Sequence, residues 1–138
     1  MKKIVLFVFM VLVLIGCSGS YKNLVQIDVH TADEDRNYSK LISITDIETL
    51  ESIKNILEEI IWDPHIDPEM ARYEDITMIL TFEDANGEEL EYKIWFNQGG
   101  TANFISSNDK EGYGGLITTE ADKLKEILRT VSGSEIDF

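Results

Sequence analysis

The polar and apolar positions of this chain change their period several times, and each change marks an element. Leu24 to His30 alternates, with Val25, Ile27 and Val29 on one side, and this predicts a first strand. A polar, turn-forming stretch, Thr31 to Asn37, separates it from a second short strand over Tyr38 to Ile44. Thr45-Asp46-Ile47-Glu48 has the form of a capping box, with Thr45 as the cap, and predicts a helix start. Ile47, Leu50, Ile53, Leu57, Ile60 and Ile61 then recur every three or four residues as one helical stripe. Pro64 should end that helix near Ile61 or Trp62. After an irregular connection over 62–72, two alternating runs, 76–82 and 90–96, flank Asn86-Gly87, a strong hairpin signal because both residues tolerate positive φ. Short strands over 102–105 and 113–117 continue a meander. A closing helix, capped by Thr118 or Thr119, carries Ala121, Leu124, Leu128 and Val131 on one face. The expected fold is α+β, a two-layer sandwich of a mostly antiparallel sheet with two helices on one face.

The start of the chain has a different pattern. Lys2 and Lys3 precede an unbroken apolar run from Ile4 to Ile15, and Leu14-Ile15-Gly16-Cys17 follows. Twelve apolar residues suit the core of a secretory signal, whereas a spanning helix needs about 20. Leu-Ile-Gly-Cys resembles the lipobox of bacterial lipoproteins, in which diacylglycerol joins the cysteine thiol and cleavage follows the glycine. That resemblance implies residues 1–16 as signal peptide and a lipidated Cys17; the polar Ser18-Gly19-Ser20 reads as part of a flexible tether over 17–23, and length and pattern give one domain over 24–131 with a C-terminal tail over 132–138.

Composition narrows the partners. The 138 residues carry 12 Lys+Arg and 26 Asp+Glu; without Lys2 and Lys3, 10 basic residues face 26 acidic ones, a net of −16. Nucleic-acid binding needs clustered Lys and Arg to displace counterions from phosphate, and the chain has no such cluster. The same charge opposes adsorption on an anionic lipid surface, so the domain is expected to stand off the membrane on its tether. Cys17 is the sole cysteine, so once lipidated it leaves no thiol for a disulfide, a nucleophile or a metal.

The order of elements also resembles a family. Ile44-Thr45-Asp46 before a helix, Trp62 after it, Tyr73 before an alternating strand, Tyr92-Lys93-Ile94-Trp95, and Tyr113-Gly114-Gly115-Leu116 before a closing helix are similar to the small YhfM-like lipoproteins of Bacillus relatives. The resemblance implies an extracytoplasmic, lipid-anchored protein and supplies no reaction.

Candidate chemistry is sparse. Asp63, His65 and Asp67 would share one side of an extended chain, as a cation site requires, although Asp-Pro is also ordinary turn chemistry. Asp33-Glu34-Asp35, Glu83-Asp84 and Glu88-Glu89 lack the spacing of a calcium loop. His30 and His65 are the two imidazoles from which a base could be drawn, and no G-x-S-x-G or H-E-x-x-H occurs. Trp95 falls opposite Leu90, Tyr92, Ile94 and Phe96. It either lies with Ile79 on an open sheet face that binds a peptide or protein, or packs beneath the N-terminal segment or a loop. The expectation is a monomeric, non-catalytic binding or accessory domain on the cell surface, with no cofactor. The alternative is a small cation-dependent or hydrolytic enzyme, built on a pocket converging on His65 or His30.

Overall fold

A computed structural model of the chain describes residues 21–32, 35, 37–84 and 86–133. The expected signal segment, Cys17, Asp33, Glu34 and the last five residues lie outside the described residues. Seven strands form one antiparallel sheet: β1 (Leu24–Ala32), β2 (Tyr38–Ile44), β3 (Ile61–Asp63), β4 (Ile76–Phe82), β5 (Glu89–Phe96), β6 (Ala102–Ser106) and β7 (Tyr113–Leu116). Among the described residues two helices, α1 (Ile47–Leu57) and α2 (Thr118–Ser132), complete the α+β fold. The order across the sheet is β2-β1-β4-β5-β6-β7-β3. The expected meander is β4 to β7.

The register places alternate residues of every strand on one inner face. Ile27, Leu80, Leu90 and Ile44 form one row, and Val29, Met78, Tyr92 and Ile42 the next. Ile76, Ile94, Phe104, Gly114 and Trp62 form another. These rows join Leu50, Ile53, Ile56 and Leu57 of α1 and Ala121, Leu124 and Leu128 of α2 in a single hydrophobic cluster. Within it Trp62, Tyr92 and Phe104 pack as an aromatic trio, with centroids 5.3 to 6.2 Å apart and tilted or edge-on planes.

Local details depart from the sequence pattern for physical reasons. A bulge between Leu24 and Gln26 turns Leu24 toward the core and leaves Val25 exposed, breaking the expected Val25, Ile27, Val29 side. The cap of α1 is Asp46 rather than Thr45: its carboxylate accepts from the Thr49 amide (3.0 Å) and hydroxyl (2.8 Å). Those two bonds hold the Asp46 carboxyl below its usual pKa. The cap of α2 is Ile117, with no side-chain bond, so neither Thr118 nor Thr119 serves; Ser132, not Val131, closes its buried stripe. Gly133, at φ 65°, ends α2 in the left-handed conformation.

The largest departure is at the end of α1. The helix stops at Leu57, and Ile61–Asp63 become an edge strand against β7. Ile60 and Ile61 fit a helical period, but pairing with Gly115 and Gly114 sends Trp62 inward and leaves Ile61 outside. Asp63, ahead of Pro64, then takes the extended geometry that a proline demands.

This topology has a consequence for the opposite face. β2 and β3 are the two edges, so α1 and its flanks carry the chain from one edge of the sheet to the other. The connection from β3 to β4 must return over β7, β6 and β5, about 19 Å at about 4.8 Å per strand. It does so across the outer face.

Candidate functional site: the outer face of the sheet

The returning connection explains Trp95. The indole sits on the outer face, in register with Asn103, Gly115 and Ile61, yet is only 4% exposed and stands apart from the inner cluster. Its Nε1 donates to the Arg72 carbonyl (2.9 Å). Arg72 in turn donates to both Asp75 oxygens (2.6 and 3.1 Å) and to the Phe96 carbonyl (2.8 Å), and the Phe96 amide donates to Asp75 (2.6 Å). Asp75 beside it holds the guanidinium above its ordinary pKa. Tyr38, on β2, donates to Glu74 and ties the same connection to the far side of the sheet. Trp95 is thus the packing residue beneath a loop, the second of the two sequence readings.

Ile79 is half-buried, opposite Asp28 and Glu91. Four residues of strand, about 13 Å, separate its row from that of Trp95. The two do not form one patch. Around Ile79 the outer face is polar: Asp28 accepts from Ser43, Gln26 (2.9 Å) and Lys40 (3.2 Å). Burial alone would raise the Asp28 carboxyl, but these donors hold it below its usual range.

The apolar surface lies elsewhere, at the β6-β7-β3 corner. Ile61 is 75% exposed, Ile117 60% and Ile66 45%; with Tyr113 they surround Gly115 in a shallow depression. A side chain at 115 would meet nothing within 4 Å, so the floor of the depression is bare backbone. Ile66 arrives from the returning connection, Ile61 from the unforeseen edge strand and Ile117 from the entry to α2. The helical period of the sequence puts Ile61 on a buried stripe, and no local signal marks it as exposed.

The candidate metal residues are not assembled. Asp63, His65 and Asp67 are exposed, and Asp63 accepts the His65 backbone amide (3.0 Å), an ordinary turn bond. Among the described residues, no three His, Cys, Asp or Glu side chains are grouped to hold a cation. Asp84 likewise caps its own turn, accepting from the amides of Asn86 (2.9 Å) and Glu88 (3.2 Å). His30 is half-buried on the outer face, across from Lys40 and Thr77, rather than in a pocket with His65.

One buried polar chain has no local signal in the sequence. Tyr21 Oη lies 2.7 Å from Tyr92 Oη, and Tyr92 donates to Glu111, 3.1 Å from each oxygen, so Tyr21 donates to Tyr92. Ser106 donates to the same carboxylate (2.8 Å). Burial pushes both phenols well above their ordinary 10.0. Well below pH 10 both states keep the protons. As pH rises further the unfolded chain ionises first, so stability falls. Replacing Tyr92 by Phe strands the Tyr21 hydroxyl and should cost about 1–3 kcal/mol at pH 7. The further loss of stability between pH 9 and 11 should shrink, because one titrating phenol is gone. Urea unfolding at the three pH values checks both effects; an unchanged alkaline loss would show that Tyr92 does not stay protonated.

No protein-family model, curated protein or solved structure matches the chain. Among the described residues no helix is long and apolar enough to cross a membrane.

Proposed function

We propose that the chain is a bacterial lipoprotein, anchored through lipid on Cys17 to the extracytoplasmic face of the cell membrane, whose domain acts by binding rather than by catalysis. The observation that carries the anchor is the layout of the first seventeen residues: Lys2-Lys3, twelve apolar residues, then Gly16-Cys17. A domain whose described residues begin four positions later, at the buried Tyr21, fits this reading. Stable attachment by lipid requires two acyl chains, which a diacylglyceryl cysteine supplies. The YhfM-like family remains our assignment on the residues quoted for it above.

Binding is favoured over catalysis by where the residues stand. The hydrolase reading depends on His65 or His30 converging with carboxylates; His65 is exposed with its amide in a turn, and His30 lies on the sheet face. The Ile61, Ile66 and Ile117 corner offers apolar contact beside Asp63, in a chain of net charge −14. A protein or peptide segment with apolar and basic residues suits it.

The anchor is tested by metabolic labelling with palmitate. Wild-type protein should carry label and fractionate with membranes; Cys17→Ser should carry none and lose that association. Equal labelling of the two proteins would refute the assignment.

A further inference from the structure

Tyr21 changes the geometry of the tether. The sequence pattern leaves residues 17–23 flexible, but Tyr21 is 3% exposed and bonded to Tyr92. Its carbonyl accepts the Leu24 amide (3.2 Å), and the Asn23 carbonyl accepts the Glu83 amide (2.8 Å). Asn23 takes a positive φ of 67° to make this turn. The chain is therefore fixed to the domain from Tyr21 onward, and only Ser18, Gly19 and Ser20 separate it from Cys17. Four Cα steps, fully extended, span at most about 14 Å. A strand of eight residues, such as β5, is about 27 Å long.

Resting on the lipid-anchored reading, we infer that the domain has one fixed end, formed by the turns at 83–88 and 107–112, which the short tether holds toward the bilayer surface. Both turns lie at the Tyr21 end. Phe82 pairs with Leu24, Glu83 bonds to Asn23, and Glu111 accepts from Tyr92, the residue that holds Tyr21. The turn at 97–101 closes the opposite end of β5 and β6. With a tether about half as long as the strands, the domain cannot turn its far end to the lipid.

Charge sets how this end meets the membrane. Glu83, Asp84, Glu88, Glu89 and Asp109 outnumber Lys22 and Lys110 there. Anionic headgroups repel this surface, and at physiological salt the repulsion acts over about 8 Å, within the reach of the tether. The acidic end faces the bilayer without adsorbing on it. The Ile61 and Ile117 corner, on the outer sheet face, stays open to a partner from the side.

The test uses the full lipidated protein in vesicles of phosphatidylglycerol and phosphatidylethanolamine. A fluorophore is placed on a single introduced cysteine, Glu88→Cys or Gly99→Cys, and quenched by headgroup spin-labelled lipid. Both positions are exposed, and a side chain at 99 meets nothing within 4 Å. Quenching at 88 should exceed that at 99 several-fold. Inserting six Gly-Ser pairs between Ser20 and Tyr21 should remove most of the difference. Vesicle-bound protein with equal quenching at both sites, or with a difference that the insertion leaves intact, overturns the fixed orientation while leaving the anchor in place. Protein that fails to sediment with vesicles takes down the anchor and the orientation together.

Discussion

Phe104→Ala should destabilise the domain by about 3–5 kcal/mol, the usual cost of removing a buried aromatic ring. Phe104 has no exposed surface and stands at the centre of the inner face, edge-on to both Tyr92 (6.0 Å, 90°) and Trp62 (6.2 Å, 77°). Its loss removes apolar transfer energy, leaves a cavity and breaks two edge-to-face contacts. A domain of this size has about 5–15 kcal/mol in total, so the variant should unfold at markedly lower urea and melt about 10–20 °C lower. Trp62 belongs to the short edge strand β3, and its fluorescence should report the release of that strand. A cost below about 1 kcal/mol would mean that the trio is not the centre of the core.

Gly114→Ala and its neighbour Gly115→Ala should have opposite outcomes. A Cβ at 114 would come within 2.6 Å of Ile60 Cγ2 and of Trp62 Cε3, on the crowded inner face. Overpacking of this kind costs about 1–3 kcal/mol, and here it also pushes on the aromatic trio. A Cβ at 115 points to the outer face and meets nothing within 4 Å. Gly115→Ala should be neutral or stabilise by up to about 1 kcal/mol, because alanine restricts the unfolded chain. Thermal melts of the pair check the register itself, since a one-residue slip of β7 would exchange the two results. Equal destabilisation of both would contradict the described pairing of β3 with β7.

These two predictions also show what the sequence could and could not reveal. Alternation over 76–82 and 90–96 marks β4 and β5 because each strand has one face against the core, a condition local enough to leave a period-two pattern. The two helical stripes are legible for the same reason, although the first continues in the sequence to Ile61 where α1 stops at Leu57, and the second includes Val131 where Ser132 is the buried residue. Strand order is not local. Gly114-Gly115 gives no hint that Trp62 and Ile60 pack over one of its residues, because that contact depends on β3 crossing to the far edge. The cover over Trp95 follows from the same crossing, as the return path of the chain lies over the outer face. Tyr21 and Tyr92 are 71 positions apart, and no pattern within a short window links them.

The apolar corner at Ile61, Ile66 and Ile117 is a product of topology in the same sense. Each residue is a single isoleucine at the margin of an element, and three connections bring them around Gly115. The proposed anchor is different. The pattern that suggests it is contiguous, from Lys2 to Cys17, and can be read without any fold.

The most direct test of the account is the mass of the mature N-terminal peptide from protein extracted from membranes. The expected chain begins at Cys17, carries a diacylglyceryl group on the thiol, and continues Ser18-Gly19-Ser20-Tyr21. A membrane-extracted chain that retains Met1, or begins elsewhere with Cys17 unmodified, would contradict it.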